Sequence, residues 1–306
     1  MVGEVVRLLS FEVPGWIVDG TVGPGGHARA LLAAMPQAHL LGIDLDPETV
    51  ATAKENLKGF GARAVIVQGD YSEMAQIAKQ HGISAAKAAL LDLGWSSEQI
   101  SRPERGFSFT RPGPLDMRYD TRSGVPLSQW LEGMSIEELT RVIREYGEER
   151  WAAQIARRIK ERIAGARRAT PIRDTAELAE AIASAIPRRL WPRRIHPATR
   201  TFQALRIAVN GELERLDRFL DGGWSLLEVG GRIAIIAFHS LEDRRIKRRF
   251  TQLAAACRCP PQLPVCRCGN TSQLRLLTRG AIRPQAEETE LNPSARSARL
   301  RAAERI

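Results

Sequence analysis

Residues 16–27 read Trp16-Ile-Val-Asp-Gly-Thr-Val-Gly-Pro-Gly-Gly-His27, and this stretch decides the fold. Three apolar residues lead into Asp19, four of the next seven residues are glycine, and a helical pattern begins at Ala28. A strand, a glycine-rich turn and a helix in this order form the unit that holds nucleotide-like cofactors. Glycine is needed there because the backbone takes positive φ and lets a ligand approach N–H groups at the helix N-terminus.

An acidic residue at the end of the next strand strengthens this prediction. Residues 39–44 are mostly apolar and end in Asp44, about 20 residues after the turn, where such units place a carboxylate on ribose hydroxyls. Asp46 and Pro47 then supply the N-cap and the first residue of a helix. The two features together predict an adenosine-binding site. The alternative, in which Asp19 and Asp44 merely cap strand ends, is weaker because both features occur in one unit.

Length and composition describe a globular protein with a basic surface. The chain has 306 residues, 26% of them charged, and a formal net charge of +10. This length suits one large core and a smaller domain. The longest apolar runs are far shorter than the roughly 20 residues of a membrane helix, and the first residues lack the pattern of a signal peptide. We therefore expect a cytoplasmic location and no membrane partner.

Two arginine-rich blocks favour a polyanionic partner over a merely solvated surface. Residues 188–206 contain six Arg and no acid, and residues 244–249 contain four Arg and one Lys. The guanidinium fork suits phosphate groups. We expect Arg200, Arg206 and the block at 244–249 to contact the phosphates of such a partner. His239 precedes the second block, and either a contact with that partner or a packed histidine fits its position.

Strands and helices alternate through the first 92 residues, which predicts a parallel sheet with helices on both faces. The predicted strands are 16–19, 39–44, 63–67 and 86–92, and the predicted helices are 27–35, 47–58 and 73–80. Ligands bind at the carboxyl ends of such strands. Acidic residues stand at all four of these ends, and they outline one crevice: Asp19, Asp44, Asp70 beside Tyr71, and Asp92.

The pattern changes after Asp92. Residues 94–126 lack periodicity, and residues 127–186 carry only helical periods, which predicts a helical insert. One long helix is predicted over residues 198–220. The sheet then resumes with a buried strand at 230–239 and a basic helix capped by a box from Ser240 to Asp243. Final strands are expected at 274–277 and 295–300.

The cysteines are confined to two Cys-x-Cys units. The four are Cys257, Cys259, Cys266 and Cys268. Four thiolates can surround one tetrahedral zinc ion. Because this spacing is tighter than in the common zinc ribbons, a reduced surface loop without metal stays open as the alternative.

Nine motifs taken together resemble one family, the bacterial ribosomal RNA small subunit methyltransferase H family. They span nearly the whole chain in the expected order and read Asp19-Gly-Thr-Val-Gly-Pro-Gly-Gly-His27, Gly42-Ile-Asp-Leu-Asp-Pro47, Leu90-Leu-Asp-Leu-Gly-Trp-Ser-Ser97, Arg105-Gly-Phe-Ser-Phe109, Gly113-Pro-Leu-Asp-Met-Arg118, Tyr146-Gly-Glu-Glu-Arg150, His196-Pro-Ala-Thr-Arg-Thr-Phe-Gln203, Phe238-His-Ser-Leu-Glu-Asp-Arg244 and Asn292-Pro-Ser-Ala-Arg-Ser297. The family uses S-adenosylmethionine to methylate N4 of a cytidine in 16S rRNA.

The resemblance implies an α/β fold, a class I (Rossmann-like) methyltransferase sheet with an inserted small all-helical domain. Residues 1–103 and 205–306 would form the discontinuous methyltransferase domain, and residues 104–204 would form the insert that recognises RNA. The small ribosomal subunit would be the partner. The sequence does not decide between a monomer and a homodimer.

The resemblance also implies contacts with S-adenosylmethionine. Gly25, Gly26 and His27 would face its methionine end, and Asp44 would bind its ribose. Three further positions follow from the same motifs: Tyr71 on the adenine side, with Asp92 and Gln99 on the remaining polar groups. His27 opens a helix, so a capping or packing role is an alternative for it.

Two departures from the family pattern concern the start of the chain and position 95. The family usually has a His-x-Pro-Val segment before its first helix, whereas this sequence begins inside that region. Trp95 replaces a small aliphatic residue, and its indole either lines the pocket of the target base or packs beneath the loop.

Methylation of the cytosine amine requires a hydrogen-bond acceptor near N4. The lone pair of the cytosine amine is delocalised into the ring, so catalysis requires alignment and acceptors for the amine hydrogens. We predict that Asp92 supplies that acceptor while Trp95 or Phe109 stacks on an extruded base. The equally weighted alternative gives Asp92 only a role in holding the cofactor.

Two other functions remain at this stage. A nicotinamide-dependent oxidoreductase would explain the glycine-rich turn and Asp44, but not the arginine blocks. A non-enzymatic RNA-binding ribosome-assembly factor would explain the arginine blocks, but Gly25, Gly26, Asp44 and Asp92 would then have no use.

Overall fold

The computed structural model describes residues 1–94, 102–165, 172–257, 259 and 267–306. The chain divides into two compact units, one of Met1–Gly94 with Leu213–Ile306 and one of Trp95–Glu212. The sequence-based division, with boundaries after residues 103 and 204, stays a prediction about the role of each segment. Within the described ranges, no helix combines the length and the apolarity that crossing a membrane requires.

The first unit is built on one mixed seven-stranded sheet. In chain order its strands are β1 (Gly15–Asp19), β2 (Ala38–Asp44), β3 (Ala64–Gln68), β4 (Ala86–Asp92), β5 (Leu227–Ala237), β6 (Leu274–Leu276) and β7 (Arg299–Arg305). Their order across the sheet is β3-β2-β1-β4-β5-β7-β6. β1 to β5 pair in parallel, whereas β7 runs antiparallel to β5 and to β6. The predicted α/β fold class is thereby confirmed.

The helices follow the predicted alternation before the insert. In chain order they are α1 (Val2–Leu9), α2 (Gly26–Ala34), α3 (Pro47–Leu57), α4 (Met74–Gln80), α5 (Leu127–Gly133), α6 (Ile136–Gly147), α7 (Ala152–Ile163), α8 (Thr175–Ser184), α9 (Thr199–Asn210), α10 (Glu212–Gly222), α11 (Ser240–Ala254) and α12 (Ala286–Leu291). At the start of α3, the Asp46 side chain accepts a hydrogen bond from the Glu48 N–H, with Pro47 at the first helical position. The sequence predicted this cap correctly.

Helices cover both faces of the sheet, because successive strand residues point to opposite sides. In β1, Ile17 joins the core under α1, α2 and α3, whereas Val18 joins the core under α4, α10 and α11. Leu90 and Leu91 divide in the same way in β4. Sheets buried on both faces need continuous apolar strands, and these strands have them.

The strand order reverses at β1, which pairs with β2 on one side and with β4 on the other. In an open parallel sheet, the crevice at such a reversal is where ligands bind. Asp19, Asp44 and Asp92 end the three strands concerned. The fold therefore directs three carboxylates to one edge of the sheet.

In the second unit, the regular elements of the described residues are helices. α6 begins with a complete capping box, in which Ser135 and Glu138 each bind the other's backbone N–H. The buried side chains of Leu139, Ile155 and Leu178 belong to one core that also takes in α9. The apolar periods read from the sequence therefore mark the inward faces of these helices.

The prediction of one long helix over 198–220 is wrong. The helix ends at Asn210, Gly211 adopts a left-handed backbone with φ 58°, and α10 begins at Glu212. The Asn210 amide donates to the Met117 and Arg206 carbonyls. The helix breaks here because Gly211 adopts a positive φ without steric cost. The spacing of apolar residues alone does not predict such a break.

The cap of α11 also differs from the prediction. His239, rather than Ser240, is the N-cap, and Glu242 completes the capping box by accepting from the backbone N–H of His239 at 3.2 Å. Asp243 instead binds Arg301 at 2.6 Å and Arg299 at 3.0 Å, both on β7. It ties the helix to the antiparallel strand.

Replacing Asp243 by Ala should lower the free energy of unfolding by about 2 to 3 kcal/mol, because two arginines lose their partner in a largely buried place. Burial opposes ionisation, but hydrogen bonds from Arg301 and Arg299 hold the pKa of Asp243 below its ordinary value. The ion pair thus adds stability above about pH 4 that disappears as the pH falls.

Urea unfolding at neutral and acidic pH measures this effect. Asp221→Ala is the matched control, because Asp221 is exposed and pairs with Arg249 at 3.4 Å. That variant should lose less than about 0.5 kcal/mol. Equal losses in the two variants would contradict the assignment.

Candidate cofactor site

Backbone hydrogen bonds hold the glycine-rich turn against the sheet edge. The Gly20 N–H donates to the Leu90 carbonyl and the Val22 N–H to the Ile43 carbonyl, both at 2.9 Å. Gly25 is the N-cap of α2, and its φ of 94° lies in the region that side chains disfavour. The turn leaves the first N–H groups of α2 without intrahelical acceptors, as at any helix start.

Both carboxylate oxygens of Asp44 accept backbone hydrogen bonds, one of them from the glycine-rich turn. One oxygen accepts the Gly23 N–H and the other accepts the Asp46 N–H, each at 3.0 Å. Burial raises the pKa of Asp44 to about 6, although these hydrogen bonds oppose the rise. A carboxylate offers about four lone-pair sites, and Leu45 is a third backbone donor to Asp44, so the group keeps capacity to accept a hydroxyl of a ligand.

Asp19 lies beneath the turn and is almost completely buried. One oxygen accepts the Thr21 N–H at 3.1 Å, and the other has no hydrogen-bond partner among the described residues. Burial raises the pKa of Asp19 to about 7, with a lowering influence from His27 and raising influences from Asp92 and Asp44. The sequence marked Asp19 as a strand-end acid but did not count it among the site residues.

His27 and Asp92 form a pair across the crevice. Nε2 of His27 lies 3.2 Å from one carboxylate oxygen of Asp92, and the Gly94 N–H donates to the other oxygen at 3.2 Å. The Asp92 backbone N–H donates to the Thr21 hydroxyl oxygen at 2.6 Å. Two predicted site residues therefore touch, and Thr21, which the sequence reading missed, fixes the strand end that carries one of them.

Asp70 and Tyr71 lie at the end of the neighbouring strand. Asp70 caps the short turn that begins with Tyr71 and pairs with Arg215 at 3.0 Å and with Arg218 at 3.6 Å. The half-buried Tyr71 ring meets Phe219 edge to face at 6.1 Å between centroids. Asp70 is thus largely occupied by arginines, whereas the contact of Tyr71 with adenine stays a prediction.

The predicted residues Gln99 and Trp95 lie outside the described residues. Phe109, the other candidate for base stacking, lies in an aromatic group of the second unit. Its ring centroid is 4.8 Å from His196 and 4.7 Å from Phe202. The ring is half-buried, so it serves the packing of that unit.

The exposure of the basic residues separates two kinds of arginine. The structure gives Arg206 a role other than the predicted phosphate contact, because its guanidinium is buried and binds both carboxylate oxygens of Glu212 at 2.6 and 2.8 Å. Arg200 is exposed, as are Arg244, Lys247 and Arg248 on α11. His239 is packed, with Nε2 3.1 Å from Glu242, so of its two sequence-based roles the structure supports the packed one.

A polar cavity of about 230 Å³ opens where β5 meets the start of α11. Its lining consists of Phe238, His239, Ser240, Arg283, Arg296, Ser297, Ala298 and Arg299. Arg283 and Arg296 are exposed and form no ion pair with the described residues. β5 pairs with β4 up to Asp92, so the cavity belongs to the same edge of the sheet as the carboxylates.

Comparison with known families identifies the family of the chain. The model of the MraW methylase family matches residues 1–306. The chain belongs to the MraW methylase family. Ribosomal RNA small subunit methyltransferase H of Trichlorobacter lovleyi is 48% identical over 304 residues, which cover 99% of this chain and 96% of that protein. The protein of the same name from Anaeromyxobacter sp. strain K is 48% identical over 306 residues, covering 100% and 96%.

Solved structures add a fainter similarity. An rRNA methylase from Streptococcus thermophilus aligns with a TM-score of 0.38 at 10% identity, covering 100% of this chain and 93% of that one. A similarity of this size assigns no residue. Membership of a methylase family gives no support to the oxidoreductase alternative or to the non-enzymatic one.

Asp19→Asn should flatten the pH dependence of stability in this methylase. A carboxyl whose pKa is raised by folding keeps its proton in the folded state while the unfolded chain releases it, so stability falls as the pH rises from about 4 to about 7. Asparagine cannot titrate. As the pH rises across this range, the wild type should therefore lose more free energy of unfolding than Asp19→Asn does.

Urea unfolding without cofactor, from about pH 4 to about pH 7.5, measures that difference. Asp217→Asn is the control, since Asp217 is half-exposed and pairs with Arg245 at the surface. It should keep the wild-type slope. A wild-type slope in Asp19→Asn would show that Asp19 keeps an ordinary pKa.

Proposed function

We propose that this methylase uses S-adenosylmethionine to methylate N4 of a cytidine in 16S rRNA of the small ribosomal subunit, and that it acts in the cytoplasm. The main support is the His27–Asp92 pair at 3.2 Å beside the glycine-rich turn and Asp44. The names of the relatives in Trichlorobacter and Anaeromyxobacter support small-subunit rRNA as the substrate. The cytidine and its N4 atom follow from the motif resemblance alone.

The residues of the turn suit S-adenosylmethionine. In this proposal Asp44 accepts the ribose hydroxyls with the lone pairs that the backbone leaves open, and Tyr71 offers a flat face to adenine. Gly25, Gly26 and His27 surround the methionine end, because the start of α2 presents N–H groups to a carboxylate. When bound, S-adenosylmethionine supplies an electrophilic methyl group. Gln99 keeps its predicted role as a further polar contact.

The unpartnered oxygen of Asp19 offers an independent sign that a polar ligand belongs here. A buried acceptor without a donor costs about 1 to 3 kcal/mol, which a ligand with an ammonium group or a bridging water would recover. Burial has already raised the pKa of Asp19. A nearby positive charge would lower it again, and this would favour the ionised form in the complex.

Asp92 is our candidate for the acceptor of the amine proton. Its carboxylate stands at the end of β4, held by the Gly94 N–H and oriented by His27. The lone pair of N4 would form the new bond to the methyl carbon while the bond from that carbon to sulfur breaks and its electrons stay on sulfur, and Asp92 would receive the proton that N4 loses. We assign His27 a positioning role, in which its ring fixes the carboxylate so that one lone pair faces the amine.

RNA recognition is divided between two groups of residues. We propose that the segment 104–204 recognises the rRNA, with the exposed Arg188, Arg189 and Arg200 meeting its phosphates. In the first unit, the cavity between Arg283 and Arg296 suits one backbone phosphate next to the methylated nucleotide. Helix α11 adds its exposed Arg244, Lys247 and Arg248.

A labelling experiment tests the function. The purified protein is incubated with methyl-labelled S-adenosylmethionine and either unmethylated small subunits or naked 16S rRNA, and nuclease digestion with mass spectrometry locates the label. Label on cytidine N4 supports the proposal and identifies the substrate form. Label on another atom, or none on either RNA although the cofactor binds, overturns it. A rise of the melting temperature with NAD but not with S-adenosylmethionine would favour the oxidoreductase instead.

Asp92→Asn should reduce methyl transfer by about a factor of 100 or more, because a general base contributes roughly that much. Affinity for S-adenosylmethionine, measured by calorimetry, should change by only a few-fold, since asparagine keeps an oxygen for the Gly94 N–H. A loss of affinity that accounts for the loss of turnover would show that Asp92 only holds the cofactor.

Variants of His27 test its positioning role. His27→Gln can still donate to Asp92 and should retain more turnover than His27→Ala, with KM for both substrates nearly unchanged. A higher KM with unchanged kcat in both variants would assign His27 to substrate binding.

Arg283→Ala combined with Arg296→Ala should weaken RNA binding and flatten its salt dependence. Each lost phosphate contact lowers the slope of log K against log salt by about 0.7 to 0.9. Arg279→Ala is the control, because Arg279 is exposed nearby in sequence but does not line the cavity. Equal slopes for the double variant and the wild type would remove the cavity from the RNA-binding surface.

A further inference from the structure

The cysteine segment lies away from the cofactor turn, between helix α11 and the edge strand β6. Three of its thiols converge: the sulfur atoms of Cys257, Cys259 and Cys268 all lie within 4.8 Å of one another. The sulfurs of Cys257 and Cys268 are 3.9 Å apart. Cys257 and Cys268 are 11 positions apart in the sequence, and the fold brings their sulfur atoms together.

This separation fits a shared metal ion rather than a bond between the sulfurs. A disulfide needs about 2.05 Å between sulfurs, roughly half the observed distance. Two sulfurs bound to one tetrahedral zinc ion at about 2.3 Å lie about 3.8 Å apart, which is close to the distance between Cys257 and Cys268. The three thiols thus already have nearly the spacing of zinc ligands.

Backbone N–H groups point at two of the sulfur atoms. The Cys259 N–H donates to the Cys257 sulfur, and the Arg267 N–H donates to the Cys259 sulfur, both at 3.4 Å between donor and sulfur. A thiolate is a much better acceptor than a thiol, because an ionised acceptor strengthens the hydrogen bond. These donors favour the ionised sulfur that zinc requires.

We propose that Cys257, Cys259 and Cys268 bind a structural zinc ion. Zinc is the metal that thiolate ligands at tetrahedral spacing select without redox chemistry. Cys266 lies outside the described residues, and the proposal concerns only the three sulfur ligands that the structure brings together. The assignment is independent of the proposed methyl transfer.

The ends of the segment are fixed without metal. The Ser272 hydroxyl donates to the Ala254 carbonyl at 3.0 Å, and the Gln273 N–H donates to the Leu253 carbonyl at 2.8 Å. The chain therefore leaves the last turn of α11 and returns to the same turn. A zinc ion bound to Cys257, Cys259 and Cys268 would cross-link the chain between these points, next to Arg267.

Metal analysis of protein produced without a histidine tag tests the proposal. We expect about one zinc ion per chain, reduced to trace amounts in Cys257→Ser and Cys268→Ser. Arg267→Ala is the matched control, because it changes the same segment and keeps the backbone N–H that faces Cys259. It should retain the wild-type zinc content.

Cobalt substitution of the wild-type protein gives a readout that does not depend on variants. Thiolate ligands should give an intense absorption from sulfur to cobalt in the near ultraviolet and tetrahedral bands in the visible range. Chelation should also open the segment to trypsin at Arg267, while circular dichroism of the sheet and helices stays unchanged.

Two results would overturn the proposal. One is a wild-type protein that contains no zinc and shows no thiolate–cobalt absorption after reconstitution. The other is zinc content that persists when Cys257 and Cys268 are both replaced by serine, which would place the ion elsewhere. Should the serine variants fail to fold, the cobalt spectrum of the wild type still decides.

Discussion

The site depends on a reversal of strand order at β1, where backbone hydrogen bonds continue past the strand end on both sides. Gly20 reaches the carbonyl of Leu90 on β4, and Val22 reaches that of Ile43 on β2. These two hydrogen bonds attach the turn to β4 and to β2 and fix its position at the edge of the sheet. The turn carries the start of α2 to this edge, where His27 meets Asp92 and Gly23 binds Asp44.

Holding several carboxylates at one edge has a cost in electrostatic energy, and the structure offsets it in a different way for each. Asp44 receives backbone N–H groups, Asp92 receives His27, and Asp19 keeps a raised pKa of about 7. Like charges that share a site oppose each other's ionisation. Such a group of carboxylates favours a cationic ligand, because the positive charge of the ligand offsets the repulsion between the carboxylates.

The sequence predicted what depends on local pattern. Apolar runs located strands β1 to β6 and the glycines located the turn, whereas the final strand was predicted at 295–300 and lies at Arg299–Arg305. Of the four acids predicted to outline the crevice, Asp19, Asp44 and Asp92 end adjacent strands, and Asp70 pairs with Arg215 and Arg218 instead. What it could not predict depends on contacts between distant segments. The break at Gly211 and the burial of Arg206 against Glu212 follow from tertiary packing. The roles of Thr21 and Asp19 follow from which groups the fold buries, since a threonine or an aspartate in a turn has many uses.

The hydrogen bond between Thr21 and the backbone of Asp92 joins the turn to the end of β4. If a ligand in the turn shifts this hydroxyl, the neighbouring strand end shifts with it, so occupancy of one place alters the free energy of the other. Such coupling is reciprocal. Whatever factor the first ligand adds to the affinity of the second, the second adds to the affinity of the first.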